Sequence, residues 1–254
     1  MISKVSTDHE KFRVIFRWIS DTIRYSYSNR TTKPDLVIKK GCAVCAGYAY
    51  LLKAMCDRAG IECVVVSGYA KTLPTDIGKQ LTETDHAWNA VKLYGKWYLA
   101  DLTWASGYYD RVKKKYTKKF NECYFLADPN FFYKKHYTAN KEMVFANIKL
   151  NRKAFVHLPI YYNAYEALLI KDLYPIKGDI KLKLKDSLEI SFDTPRVISS
   201  VHLKFKRKKT YFEPTLCIED HKYVFRYKFD KVTKDFMTIY INGEATVAYT
   251  IWVK

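Results

Sequence analysis

Apolar residues recur three and four positions apart in two segments near the start of the chain, which is the spacing of an amphipathic helix. The first segment contains Phe12, Ile15, Phe16, Ile19 and Ile23. Thr7-Asp8-His9-Glu10 precedes it and fits a capping box, so a helix is predicted to begin there. The second segment predicts a helix from Val44 to Ala59, which Gly60 ends.

Strand signals follow the second helix. Val64-Val65-Val66 predicts a buried strand. His86 to Leu93 and Lys96 to Thr103 predict two antiparallel strands joined by a turn at Tyr94-Gly95. Loops are predicted at Ser26–Pro34 and Ser106–Asn121.

From about Phe155 the helical period fades and apolar and polar residues alternate, as in Ile180 to Lys185. Asn242-Gly243 is typical of a two-residue hairpin turn. Several short strands at this spacing predict a β-sandwich of the immunoglobulin-like type. The further strands are predicted at 188–192, 201–205, 223–229, 236–241 and 246–253.

The whole pattern predicts an α+β chain of two domains, with residues 1–155 in the first and residues 156–254 in the second. No apolar run approaches the length of a membrane-spanning helix. Polar residues follow Met1 to Lys4 without an apolar signal region. The expected location is therefore the cytoplasm, or the exterior after removal of a signal.

The chain is strongly basic. Its 44 Lys and Arg residues and 26 Asp and Glu residues give a net charge of +18. Such an excess is common in proteins that bind nucleic acids. The runs Lys113 to Lys119 and Lys204 to Lys209 accompany no nucleic-acid-binding motif. We therefore interpret them as solvated loops and expect no nucleic-acid partner, with binding of an acidic substrate as the alternative.

Cys45 is the candidate nucleophile among six cysteines, whose number and spacing in a chain of this length do not predict a disulfide framework. It lies at the predicted start of the second helix, where unpaired amide N–H groups favour an anion. A thiolate in such a place has a lowered pKa and is the reactive form of cysteine. A buried, inert helix cysteine is the alternative.

His86 and Asp101 are the candidate partners of Cys45. With a two-residue turn at Tyr94-Gly95, His86 is expected to oppose Thr103, and Asp101 to oppose Trp88. Directly opposed residues and residues two apart on one strand share a face. The two side chains are therefore predicted to be diagonal neighbours within hydrogen-bond reach, with the carboxylate fixing the imidazole tautomer.

Three segments resemble the transglutaminase-like superfamily, cysteine enzymes with a papain-like core. Gly-Cys-Ala-Val-Cys-Ala-Gly-Tyr-Ala at 41–49 resembles its nucleophile segment, in which Cys45 is the attacking residue. His86 to Asn89 resembles its histidine strand, and Tyr94 to Trp104 resembles its aspartate strand. The segments 124–129 and 136–137 are similar to the kyphoscoliosis-peptidase-like branch.

The resemblance implies N-terminal helices packed on an antiparallel sheet and acyl transfer through a thioester. Cys45 would attack a carboxamide or peptide carbonyl, and His86 would transfer the proton. Asp101 would complete the triad. The expected function is that of a peptidase or amidase acting on a protein or peptide, with no cofactor and no metal. No acidic calcium-binding loop is visible in the sequence, which favours hydrolysis over calcium-dependent cross-linking.

Other interpretations stay open at this point. A cross-linking transglutaminase would use the same triad, and a non-catalytic binding module would reuse the fold without the chemistry. Cys42-x-x-Cys45 also fits a redox pair or half of a zinc site, but no second Cys-x-x-Cys is present to complete four zinc ligands. The oligomeric state is not predicted.

Overall fold

A computed structural model describes residues 5–110, 113–149, 151–208 and 210–254 of the chain. Predictions made for residues 1–4, 111, 112, 150 and 209 lie outside the described residues. The helices are α1 Asp8–Thr22, α2 Pro34–Lys40, α3 Cys45–Arg58, α4 Leu102–Ser106, α5 Pro129–Lys135, α6 Arg152–His157 and α7 Asn163–Ala167. The strands are β1 Arg24–Tyr25, β2 Cys42–Ala43, β3 Cys63–Ala70, β4 His86–Leu93, β5 Lys96–Ala100, β6 Gly107–Asp110, β7 Lys115–Lys118, β8 His136–Tyr137, β9 Ile160–Tyr161, β10 Lys171–Tyr174, β11 Asp179–Leu182, β12 Ser187–Asp193, β13 Val201–Phe205, β14 Tyr211–Phe212, β15 Leu216–Glu219, β16 Lys222–Lys228, β17 Thr233–Ile241 and β18 Glu244–Val253.

The chain divides into two compact units that do not follow one another simply along the sequence. The first unit consists of Met1–Ala70 and Glu83–Lys149, and the second consists of Lys71–Thr82 and Leu150–Lys254. Residues 71–82, which make up most of the segment between β3 and β4, therefore belong to the second unit. The domain boundary at 155/156 stays a prediction.

The first unit contains helices packed on an antiparallel sheet, which confirms the predicted α+β class. Its sheet has the strand order β5-β4-β3-β8, and α3 packs against β3 and β4. The predicted capping box starts α1, because the Thr7 side chain accepts from the Glu10 amide and the Glu10 carboxylate accepts from the Thr7 amide. The apolar stripe of α1 is buried in the core with Tyr48, Leu51 and Leu52 of α3.

Several elements of the first unit were not predicted, among them α2 and the hairpin of β6 and β7. Pro34, the last residue of the predicted loop Ser26–Pro34, begins α2, and Gly41 ends the helix with a φ of 60°. Asp35 in the first turn and Lys39 and Lys40 in the last turn are typical helix-end residues. The predicted loop Ser106–Asn121 contains a hairpin in which β6 pairs with β7.

The second unit is rich in strands, although α6 and α7 lie within it. One sheet has the order β10-β12-β16-β15, and the other has the order β11-β18-β17-β13-β14 with β9 paired to β18. Burial alternates along β12, β13 and β17, as the period-two pattern predicts. The rings of Phe205 in β13 and Tyr227 in β16 lie 5.4 Å apart, so the two sheets contact each other there.

The predicted Asn242-Gly243 turn joins β17 to β18, with φ angles of 50° and 81° at its two residues. Both angles lie in the left-handed region that a type I′ hairpin turn requires. Among the described residues, no helix combines the length and the apolar character needed to cross a membrane.

Candidate active site

Cys45 is the first residue of α3 and is half-buried. Its neighbour Val44 caps the helix without a side-chain hydrogen bond, and no acidic residue lies in the first turn. The first-turn amides therefore favour a negative charge at this end of the helix. Burial alone would raise the pKa of Cys45, but the hydrogen bond and charge of His86 and the amide of Ala87 together lower it.

The segment before Cys45 is held by a neighbouring loop. The Asn29 side-chain amide donates to Cys42 O at 2.5 Å, and the Val44 amide donates to Asn29 O at 3.1 Å. Two residues after the cysteine, Gly47 leaves no room for a side chain. A Cβ there would lie 2.7 Å from the Ala43 Cβ and 2.8 Å from Thr31 O. The glycine thus lets α3 begin close against this loop.

His86 begins β4 and is almost completely buried. Its Nε2 atom lies 2.7 Å from Asp101 Oδ2, which leaves Nδ1 for the hydrogen bond with Cys45. Its ring stacks on Trp104, with centroids 5.1 Å apart. Burial would lower the pKa of His86, but the Asp101 charge and the hydrogen bonds with Asp101 and Cys45 raise it to about 10.

Asp101 reaches His86 by a different route from the predicted one. The β4–β5 register is the expected one at all five paired positions, from Asn89 opposite Ala100 to Leu93 opposite Lys96. However, β5 ends at Ala100, so the expected strand pairs of His86 with Thr103 and of Asp101 with Trp88 were both wrong. Asp101 is instead the N-cap of α4, a position that aspartate favours because its side chain accepts a first-turn amide.

The Asp101 carboxylate is completely buried, and its two oxygens have different partners. Oδ1 accepts from the Trp104 amide at 3.0 Å, and Oδ2 contacts His86. Burial would raise the pKa of this carboxyl, but the His86 charge and the hydrogen bonds of both nearby histidines hold it well below its usual range. Asp101 is therefore ionised and bonded at neutral pH.

The second histidine on Asp101 is His136, which sequence reasoning did not place in the site. Its Nε2 atom lies 3.0 Å from Asp101 Oδ2. His136 begins β8 and pairs with Ala70 of β3. Gly68, two residues earlier on β3, pairs with His86, so both histidines lie beside the same end of that strand. The resemblance of 136–137 to the kyphoscoliosis-peptidase-like branch was a signal for this segment, but it assigned no role to the histidine.

His86, Asp101 and His136 each also offer a potential metal-ligand atom, and the three atoms lie within 4.8 Å of one another. Both imidazoles approach the same carboxylate oxygen, at 2.7 and 3.0 Å. These are hydrogen-bond separations, and an N–H group on each Nε2 satisfies the carboxylate without an ion. The cluster is therefore a hydrogen-bonded network.

The structure thus brings Cys45, His86 and Asp101 together, while their catalytic role stays a prediction. Cys42 is a separate buried thiol in β2. All six cysteines are free.

Comparison with known proteins defines the class to which this arrangement belongs. Residues 1–102 match the family model of the transglutaminase-like superfamily. The N-terminal part of the chain is therefore a transglutaminase-like domain. The resemblance predicted from the sequence motifs is confirmed.

The relatives place this domain in the kyphoscoliosis-peptidase-like branch. Over 148 residues the chain is 38% identical to the kyphoscoliosis peptidases of Homo sapiens and Mus musculus, a match that covers 56% of this chain and 22% of each relative. It is also 25% identical to Hillarin of Drosophila melanogaster over 175 residues, covering 63% of this chain and 21% of that protein. The chain spans about a fifth of the length of these curated relatives.

Proposed function

We propose that this chain is a cysteine-dependent acyl-transfer enzyme that hydrolyses peptide or carboxamide bonds. Cys45 is the nucleophile and His86 is the proton carrier. Asp101 orients His86 and stabilises its protonated form. The observation that best supports this proposal is the continuous row of hydrogen bonds from Cys45 through His86 to the fully buried Asp101 carboxylate. A nucleophile, a base and a group that orients the base are the parts that such chemistry needs.

The proposed reaction begins from a Cys45 thiolate and a His86 imidazolium. The sulfur attacks the carbonyl carbon, and the Nδ1 proton of His86 moves to the leaving amine as the C–N bond breaks. Water then attacks the thioester while His86 accepts its proton, and the carboxylic acid product leaves as the thiolate re-forms. The Cys45 backbone amide, at the first helical position without an intrahelical partner, is the proposed donor to the oxyanion.

A peptide and carboxamide substrate panel tests this function with wild type and Cys45→Ala. We expect wild type alone to release amine or ammonia, because the variant lacks the sulfur that forms the thioester. Cys217→Ala is the matched control, since Cys217 is an exposed thiol in β15. Equal product from wild type and Cys45→Ala would contradict the proposal.

Transamidation is the second candidate, because an amine can resolve the same thioester instead of water. Running the panel with and without a primary amine separates the two reactions. Cys45-dependent product that forms only with the amine would assign the chain to cross-linking rather than hydrolysis.

A substrate-independent measurement separates an activated nucleophile from a non-catalytic binding module. We expect iodoacetamide near pH 6 to alkylate Cys45 far faster than Cys217, although Cys217 is the more exposed thiol. The reason is that His86 lowers the pKa of Cys45. Peptide-level mass spectrometry measures both rates, and slow alkylation of both would support the binding module.

A further inference from the structure

Asp101 has a second histidine partner, His136, which has no role in the proposed reaction. The Nε2 atoms of His86 and His136 lie 2.7 and 3.0 Å from the same oxygen, Oδ2. The Trp104 amide occupies Oδ1. A buried, ionised carboxylate is costly unless donors surround it, so each of these three contacts contributes to keeping the charge in place.

His136 is held firmly in this position. Its ring stacks on Phe132, with centroids 3.8 Å apart and planes 10° apart, and its Nδ1 atom lies 3.0 Å from Phe132 O. The residue is completely buried, and its backbone pairs with Ala70 of β3. A ring fixed on one face by stacking and through its backbone can hold the carboxylate in a single orientation.

Within the described part of the chain, the titratable groups around His136 include Asp101, His86 and Lys135. The buried Lys135 ammonium donates to the hydroxyl of Tyr124 and lies 4.7 Å from the Trp104 ring centroid. Burial and the charge of His86 lower the pKa of His136 to about 4, although Asp101 opposes this shift. At neutral pH the ring is therefore neutral and carries one proton.

The position of that proton follows from the two acceptors. Phe132 O already accepts the backbone amide of His136 at the end of α5. Asp101 Oδ2 carries a charge, and a hydrogen bond to an ionised group is about twice as strong as a neutral one. The proton therefore lies on Nε2 and points at Asp101.

We propose that His136 is a positioning residue that acts through Asp101. By donating Nε2–H to Oδ2, it holds the carboxylate ionised and oriented toward His86. This inference rests on the proposed function of Cys45, His86 and Asp101.

Two substitutions separate hydrogen bonding from packing at this position. The amide of His136→Gln lies where Nε2 was and can donate to Asp101, whereas the shorter His136→Asn can reach only Phe132 O. The measurement is the pH dependence of Cys45 alkylation by iodoacetamide in the full chain, with Cys217 as the internal reference. We expect the Cys45 midpoint to rise by about one pH unit in His136→Asn and to stay close to wild type in His136→Gln.

Each outcome of this experiment has a defined meaning. A wild-type Cys45 midpoint equal to that of Cys217 would overturn the proposed function and this inference with it. A low wild-type midpoint that both variants share would overturn the inference alone. Equal upward shifts in both variants would also overturn it, because that result indicates a packing role.

A measurement on the unmodified chain covers the case in which both variants fail to fold. Long-range ¹⁵N–¹H spectra of the histidine rings report which nitrogen carries the proton. At pH 7.5 we expect His136 to be neutral with its proton on Nε2. A proton on Nδ1 with a bare Nε2 would overturn the inference, since His136 would then offer Asp101 no donor.

Discussion

Asp101 serves two parts of the site at once, because its oxygens have separate partners. Oδ1 accepts from the Trp104 amide and so caps α4, and Oδ2 accepts from the His86 imidazole. An asparagine at this position would keep the side-chain oxygen that caps the helix but would lose the negative charge. The two contributions of this residue can therefore be separated by a single substitution.

We predict that Asp101→Asn lowers Cys45-dependent turnover by about 10³- to 10⁴-fold, a loss of the size seen when a triad aspartate becomes an amide. The Asp101 charge, with the hydrogen bonds of Asp101 and Cys45, raises the pKa of His86 to about 10, so without the charge the imidazolium is lost at lower pH. The alkaline limit of activity should therefore move below pH 10. Asp101 also raises the pKa of Cys45 directly, but the larger opposing effect comes from His86, so the alkylation midpoint of Cys45 should rise.

Asp128→Asn is the matched control for this substitution. Asp128 is the N-cap of α5 and accepts from the Phe131 amide at 3.0 Å, so the variant makes the same chemical change at another helix start. Asp101→Asn should lower the thermal stability more than Asp128→Asn, because it removes a buried charge beside His86, so turnover is compared at temperatures where both variants are folded. An Asp101→Asn chain with wild-type turnover and an unchanged pH profile would show that the carboxylate has no part in the reaction.

At the scale of elements, the start of α3 depends on close packing against the loop before it. Gly47 has no side chain where Ala43 and Thr31 approach the helix. We predict that Gly47→Ala destabilises the fold by about 1–3 kcal/mol and slows Cys45 alkylation, because the added Cβ forces the helix start to shift. Chemical denaturation and alkylation rates measure the two effects.

Gly95→Ala provides the contrast for that prediction. Gly95 has a φ of 75° in the β4–β5 turn, and a Cβ there would contact nothing within 4 Å. Backbone strain alone should cost about 1 kcal/mol, with no effect on the alkylation of Cys45. Equal alkylation rates in the two variants would contradict a specific role for the Gly47 packing.

Local patterns predicted the elements that carry the site better than they predicted the ends of those elements. The register of β4 and β5 follows from the two-residue turn at Tyr94-Gly95, where both residues have positive φ. The end of β5 was missed because Asp101 prefers to cap a helix, a preference that strand alternation does not show. The contact between His136 and Asp101 joins positions 35 residues apart, and no local period reports such a contact.

At the scale of the whole molecule, the chain crosses between the two units three times, after Ala70, Thr82 and Lys149. The excursion 71–82 lies between the strand β3 and the strand that begins with His86. Residues 71–82 form hydrogen bonds with residues that follow position 150. The Lys71 ammonium donates to Phe155 O at 3.2 Å, and the Gly78 amide donates to Val156 O at 2.7 Å.

We predict that a chain ending at Lys149 leaves this excursion without partners and opens it to proteolysis. Trypsin should then cleave after Lys71, which is only 3% exposed in the full chain. Cleavage after the exposed Lys114 serves as the reference, because it should proceed at the same rate in both chains. Replacing 71–82 of the truncated chain by a flexible linker of equal length should remove this cleavage site and keep Cys45 reactive. Protection of Lys71 in the truncated chain would instead show that the excursion folds without the rest of the second unit.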